Sequence, residues 1–557
     1  MAESRTGAEY IAEAFEAYGV TDVFFMEAIV RRSLHQMEKR GIRRIMAHTE
    51  KAAAYMADGY ARATGKVGIC MAQAVGAANL AAGLQDAWLA RTPIVALTGH
   101  KAIPSLQRNA YQEIDHPPMF KPVTRFSANV EDVSQLPFLL RQAFREATGP
   151  TPRPAHLDLA GLSGEVVDAA TVTGVLEVDP RHGRAPAYRP APDPADIAAA
   201  AKLIDAAQRP VAFLGGGAVL AGAREEAQAL AALGIPIAYG LDGKGLVSDT
   251  AETTIGAVGH YSAPYANKAV HEADLVIYVG SDTSDQATES WRVPAPGTRI
   301  VQIDADHAEL GRNYPGVLGI LADCKLGLRA LVENLRPREN GAWVARVAGL
   351  RREWEAKIEA STASAGKPTT VERLCREVTQ ALPEDAMLVA DTGFSGIWTG
   401  TQIHLNGGGQ GYMRAAGSLG WGFPAAIGAQ CGLPDRPVVC FCGDGAFYYH
   451  LAELETARRW NIPVTVVVNN NSAFGQDILG VRQVYGQDNG RWGDLTNFAP
   501  TNFAAVAESF GCKGVRIEDP ADLGDALREA IRAEEPRVID VATDSGNRAP
   551  DAWVPPA

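Results

Sequence analysis

VVCFCGDGAFYYHLAELETARRWNIPVTVVVNNN, residues 438–471, places two short apolar, β-branched runs on either side of a segment with helical spacing. Strand, helix and strand in that order form a βαβ unit, and such units assemble into parallel sheets covered by helices on both faces. The first run ends in Gly443-Asp444-Gly445, and Ala446 opens a helix expected to continue to Asn461. Glycines at a strand end let the backbone approach a diphosphate closely. The helix that follows would turn its N-terminal amides toward the same anion. The second run ends in Asn470-Asn471. Asp444 and an Asn amide oxygen are hard ligands of the kind Mg²⁺ or Ca²⁺ prefers. Both stand at carboxyl ends of strands, where open α/β sheets bind ligands. A GDG alone is usually just a turn; GDG, a helix, IPV and NN, with 24 residues between Gly445 and Asn470, form a coherent site.

The same alternation runs outward through the chain. PIVALTG (93–99), PVAFLGG (210–216), LVIYVGS (275–281) and RIVQID (299–304) read as strands, and EKAAAYMADGYARAT (50–64) as a helix. Two interruptions divide the chain: a Pro-rich stretch at 176–196, and a charged helix followed by a Ser/Gly/Pro loop within 336–369. The expected fold class is α/β, with three doubly wound parallel-sheet domains at 1–175, 190–335 and 368–548. The final PDAWVPPA is expected to lie over the surface or to cap an active site.

At 557 residues the chain is too long for one core, and 46% hydrophobic with 21% charged residues is ordinary for a globular protein. A net charge of −13 argues against nucleic acid or an anionic membrane as partner. No run of about 18 apolar residues occurs, so no membrane span is expected. The N-terminus lacks the pattern of a signal peptide. The seven cysteines have no zinc-ligand spacing, and Cys440 and Cys442 read as buried small hydrophobes. A reducing cytoplasm is the expected location.

The 438–471 stretch resembles the diphosphate-binding motif of thiamine diphosphate-dependent enzymes. Aligning the helix and the IPV strand puts the metal ligands on Asp444, Asn471 and the Ala473 carbonyl, with Gly443, Gly445, Ala446, Phe474 and Gly475 around the cofactor. A second match lies in AHTEKAAAYMADGYARATGK, similar to the family pattern in which a Glu precedes a GYAR helix. That resemblance implies that Glu50 faces the aminopyrimidine ring and drives the imino tautomer that removes the C2 proton. On its own, Glu50 would read as a helix-start charge on the dipole. Gly76, Ala77 and Asn79 stand in matching places, and the Tyr111-Gln112-Glu113 segment makes Gln112 a candidate contact to substrate. AAGSLGWGFPAAIGA resembles the segment that bends the cofactor, with Leu419 as the wedge and the Gly417 carbonyl accepting from the 4′-amino group. Gly393, Phe394 and Ser395 align with a loop that touches the diphosphate. The middle segment, including GGGAVLAGA (215–223), resembles the central domain of acetolactate synthases, which binds FAD without a redox role; relatives bind ADP or nothing.

The resemblance spans essentially the whole chain and points to the acetolactate synthase-like branch, with four departures. Glu27 stands where many relatives have a Pro-Gly turn. Gln73-Ala74-Val75 replaces a Gly/Pro-containing pocket wall. Gln286 occupies the position of an Arg that helps acetolactate synthases hold a second 2-oxo acid. Phe394-Ser395 replaces a common Gln-His pair, and the segment after the Asn run puts Phe474, Gln476 and Ile478 in the wall. The implied activity is lyase or ligase chemistry on a 2-oxo acid, with thiamine diphosphate, Mg²⁺ or Ca²⁺ and possible FAD as cofactors. Alternatives are C–C cleavage of hydroxyketones or diketones, joining of a 2-oxo acid unit to an amine, or a non-catalytic cofactor-binding role. The resemblance also implies a homodimer or homotetramer with cofactor sites shared between chains.

Overall fold

The computed structural model describes residues 4–338, 341–488 and 490–556. Three six-stranded sheets, all parallel, carry the fold. In the first, the spatial order is Arg43–Met46, Asp22–Phe25, Gly68–Ala72, Ile94–His100, Ala155–Ala160, Phe126–Val130. In the third it is Gly411–Arg414, Met387–Ala390, Val438–Gly443, Thr465–Asn470, Arg537–Ala542, Lys513–Ile517. Numbered within each sheet, both orders are 2-1-3-4-6-5, so the outer domains share one topology. The middle sheet instead runs 3-2-1-4-5-6, from Thr254–Ala257 through Pro210–Leu214 to Leu318–Leu321. Wherever the order reverses, two neighbouring strands send their following loops to opposite faces and a crevice opens at their carboxyl ends. In the first sheet that crevice lies beyond Phe25 and Ala72; in the third it lies beyond Ala390 and Gly443.

The apolar faces do not form three separate cores. One hydrophobic cluster joins Phe24, Tyr60 and Leu84 of the first domain to Trp421, Ile427 and Val466 of the third. A second joins Leu214 and Ile303 of the middle domain to Leu388, Trp398 and Phe441 of the third. The first contact centres on the crossing of helix Glu50–Thr64 with helix Gly422–Gly432. Small residues make the crossing possible. A Cβ on Gly428 would overlap the Met56 carbonyl, and one on Gly59 would overlap the Ala425 carbonyl.

One expectation is corrected. The helix expected from Ala446 to Asn461 is broken into Asp444–Tyr448 and Glu453–Arg459. At the start of the second helix, buried Glu453 accepts from the His48 backbone N–H at 3.0 Å and the Thr456 hydroxyl at 2.7 Å. The Pro-rich stretch between the first two domains packs on the first. Within it, Ala185 N–H donates to the Gly65 carbonyl at 2.9 Å, which lays the segment against the first domain. The C-terminal tail lies over helix Pro264–His271 of the middle domain, where Asn267 Nδ2 donates to the Trp553 carbonyl at 2.9 Å. All seven cysteines are buried free thiols. Among the described residues, no helix is long and apolar enough to cross a membrane.

The tight crossing and a loosely packed helix elsewhere give opposite expectations for added volume. Gly428→Val should lower stability by about 1–3 kcal/mol through overpacking. Gly349→Ala, in helix Gly341–Thr362 with open space around its Cβ position, should raise it by roughly 0.5–1 kcal/mol. Denaturant midpoints of the two variants check both signs.

Candidate active site

The crevice of the third sheet gathers the diphosphate-type residues. Strand Val438–Gly443 ends in extended backbone at Gly443, and the next helix starts at Asp444. Beside it, strand Met387–Ala390 leads through Asp391 and Gly393, at φ 67°, into helix Phe394–Thr401. Buried Ser395 packs against Gly443. Gly445 faces the Phe474 ring so closely that a Cβ would stand 2.5 Å from it. Phe474 is held edge-on to Phe498, ring centres 4.7 Å apart. Gly475 fits between the Asn471 side chain and the Phe394 ring.

The NNN run divides its labour. Asn469 Oδ1 accepts from the Thr543 hydroxyl at 2.6 Å. Asn470 Nδ2 donates to Asp540 at 2.8 Å and to the Thr501 carbonyl at 2.9 Å, so it is tied to the sheet. Asn471 is the one at the loop, its Oδ1 accepting from the Ala473 N–H at 3.0 Å. Asp444 lies against the same loop, with the backbone amides of Gly445, Ser472 and Ala473 around its carboxylate. One of its oxygens, Oδ2, is buried with no hydrogen-bond partner among the described residues. Burial pushes its pKa up to about 7, against the partial relief of those amides. An unpartnered buried carboxylate oxygen is costly by itself. A divalent cation next to it would remove that cost and favour the ionised form. Asp444, Asn471 and the Ala473 carbonyl therefore fit a hard cation, and Gly443, whose Cβ position has only the Ser395 Oγ near it at 3.9 Å, leaves backbone room for a diphosphate.

In the first domain, Thr49 caps helix Glu50–Thr64 by accepting from Ala52 N at 3.1 Å, which sets Glu50 in the first turn. The Glu50 carboxylate accepts from Asn79 Nδ2 at 3.1 Å. Gly76 lies directly against it; a Cβ there would come 2.4 Å from a carboxylate oxygen. Gly76 and Asn79 begin helix Ala77–Leu89, so Glu50 sits between the starts of two helices, at the carboxyl edge of its sheet. Gln73 follows strand Gly68–Ala72 directly and is half-buried. Glu27 is exposed and ion-paired with Arg31 one turn on. Gln112 is held at φ 59° in the loop after His100, a loop folded by Glu113 accepting from the amides of Gln107 and Ala110.

Leu419 is half-buried against the cluster shared by the first and third domains, and Gly417 is exposed. Gln476 is exposed and donates to the Tyr261 hydroxyl of the middle domain at 3.3 Å. Gln286 accepts from Arg414 Nη2 at 2.6 Å. The structure thus assembles two clusters, one around Glu50 and one around Asp444. Within a single chain, the hydrogen bonds of Glu50 and Asp444 stay inside their own domains.

Asp391 opens the loop that the resemblance puts against the diphosphate, and it faces the protein's own backbone. Buried Asp391 accepts from the amides of Thr392, Gly420 and Gly422 at 2.9, 3.1 and 2.6 Å, linking its loop to the start of helix Gly422–Gly432. Burial pushes its pKa up to about 6. Tyr261 lies in GAVGHYSAPYAN (256–267), where the sequence gives it no distinct role beside Tyr265. In the middle domain, Gly215 and Gly217 pack on the backbone of Gly280, which accounts for that Gly-rich turn without a nucleotide.

Comparison with known proteins agrees with this arrangement. The N-terminal binding domain of thiamine pyrophosphate enzymes matches residues 5–119, their central domain 197–331 and their C-terminal binding domain 391–541. The chain is 32% identical to the acetolactate synthase large subunit of Parasynechococcus marenigrum, over 97% of this chain and 88% of that one. This chain belongs to the thiamine pyrophosphate enzymes. Within that family it lies in the branch of the acetolactate synthase large subunits. Isozyme 1 of the Escherichia coli large subunit is 30% identical, over 97% of this chain and 94% of its own. A relative named "Probable acetolactate synthase large subunit" from Methanocaldococcus jannaschii is 32% identical, over 99% and 93%.

Asp444→Asn keeps the shape of the site and removes the charge offered to a cation. It should weaken Mg²⁺-dependent thiamine diphosphate binding at least about tenfold while leaving the thermal midpoint near that of the parent protein. Calorimetric titration of the cofactor with and without Mg²⁺ measures the first effect.

Proposed function

We propose that this thiamine diphosphate enzyme makes or breaks a carbon–carbon bond beside the carbonyl of a 2-oxo acid. Carbon dioxide would leave, and the carbon left behind would be protonated or joined to a second carbonyl compound. The observation that carries the reading is the pairing of two separate sites: a carboxylate set between two helix starts at Glu50, and a cation-seeking carboxylate at Asp444. When bound, the cofactor supplies an electron sink for the carbon whose bond is broken.

The chain's own residues then have distinct tasks. Asp444, Asn471 and the Ala473 carbonyl would hold Mg²⁺, and the backbone at Gly443, Gly445 and Ala446 would hold the diphosphate, with Gly393, Phe394 and Ser395 alongside. The Gly417 carbonyl would accept from the 4′-amino group, and Leu419 would brace the bend. Glu50 would hold a proton against the aminopyrimidine ring nitrogen, with Asn79 fixing its carboxylate and the lack of a side chain at Gly76 letting the ring come close. Gln112, Gln73, Gln476 and Glu27 would line the space in which substrate is oriented and water excluded.

Which acceptor is used depends on position 286. An Arg there would offer a bidentate charged partner to a second 2-oxo acid. Gln286 instead has its amide oxygen engaged by Arg414. That contact supports protonation, or an acceptor lacking a carboxylate, over capture of a second 2-oxo acid. We further propose that each cofactor is shared between the first domain of one chain and the third domain of another, in a homodimer or homotetramer. That the described hydrogen bonds of the Glu50 and Asp444 side chains stay inside their own domains supports this arrangement.

Glu50→Gln should slow both C2-proton exchange of bound thiamine diphosphate and turnover by about 10²- to 10⁴-fold. Exchange at the parent rate would remove Glu50 from its role. Incubating the protein with a panel of 2-oxo acids, with carbon dioxide and products identified by mass spectrometry, tests the reaction class. Activity of a dilute monomer in sedimentation would refute the shared site.

A further inference from the structure

Helix Ala77–Leu89 is largely apolar, yet Asp86 stands in it with no exposed surface. Its carboxylate accepts from the backbone N–H of Ala416 at 2.9 Å, of Gly417 at 3.1 Å and of Ser418 at 2.9 Å. Arg62 Nη2 donates to it at 2.7 Å. Three consecutive amides converging on one anion form a backbone nest. The nest is part of a larger grip. Arg62 Nη1 donates to the Arg414 carbonyl at 2.6 Å, and Arg62 also forms a fork with Asp58 at 2.8 and 2.7 Å. Trp421 Nε1 donates to Asp58 at 2.8 Å, and the Arg62 guanidinium lies 4.5 Å from the centre of the Trp421 ring. The first domain therefore holds the third-domain segment 414–421 at both ends and in the middle.

Stability alone is a weak reason for this network. Apolar residues of the same volume are often as stable as a buried ion cluster. Geometry offers a stronger one. In a trans peptide the N–H and the preceding C=O point in opposite directions. With the Ser418 N–H aimed at Asp86, the Gly417 carbonyl must face away from it, and Gly417 is an exposed residue.

We propose that Asp86 is a positioning residue. By gathering the amides of residues 416–418, it presets the Gly417 carbonyl and Leu419 for the aminopyrimidine end of the cofactor before the cofactor arrives. The inference rests on the reading above that Gly417 and Leu419 hold that end. Asp86 itself touches no cofactor; it acts through the backbone it folds.

Two measurements test it. Hydrogen–deuterium exchange of the cofactor-free parent protein should show the amides of residues 416–418 protected at least about 100-fold over an open loop. Exchange at open-loop rates would overturn a preset conformation, and this readout needs no variant to fold. Asp86→Asn keeps the volume but puts donor hydrogens among donors. In that variant thiamine diphosphate with Mg²⁺ should bind within about tenfold of the parent affinity, held by its diphosphate end, while C2-proton exchange falls about 100-fold. Parental C2 exchange in a folded Asp86→Asn protein would overturn the proposal. Failure of the parent protein to bind thiamine diphosphate or to exchange the C2 proton would instead strike the reading of the previous section.

Discussion

Contact between the first and third domains governs everything else in this molecule. It has two parts with different physics. The helix crossing at Gly59 and Gly428 is a steric fit, in which the backbones approach because neither carries a side chain. The Asp58–Arg62–Asp86 cluster is a desolvated charge network, which survives burial only because nearly every donor and acceptor is matched. Together they fix the segment 414–421 relative to a domain more than 300 residues earlier in sequence.

Shared topology explains why two such distant stretches can serve one coenzyme. The outer sheets have the same strand order and so open equivalent crevices, one beside Glu50 and one beside Asp444. Their chemistry has diverged. The first crevice presents a carboxylate with an amide partner, suited to moving a proton. The third presents a carboxylate with an unsatisfied oxygen, suited to a cation. The middle sheet has a different order, and its glycines are accounted for by backbone packing at Gly280. The middle domain meets the third through loops, with Tyr261 on Gln476 and Gln286 on Arg414.

Much of the fold was legible in the sequence. Strands such as Pro210–Leu214 and Leu275–Val279 are short, β-branched and followed by glycine or serine, and they pair where a parallel α/β sheet requires. Helix Glu50–Thr64 was legible at its full length, and in the structure the Thr49 hydroxyl and left-handed Gly65 mark its ends locally. The break between Tyr448 and Glu453 was not, and the residue that restarts the helix, Glu453, is bonded to His48, some 400 residues away. Asp86 gave a faint signal, an acid within an apolar helix, but its partners at 416–418 cannot be guessed from spacing.

The sequence by itself determined the class of fold and the types of functional group, since periodicity, caps and turn glycines act over a few residues and are written where they act. It supplied Glu50, Asp444 and Asn471 as groups able to do the chemistry. The tertiary structure decided which groups were already engaged: Asn470 is tied to the sheet, Gln286 is engaged by Arg414, and Asp86 is committed to three backbone amides. Those assignments depend on which surfaces meet across the domains, and contacts between distant segments leave no periodic trace in a linear chain.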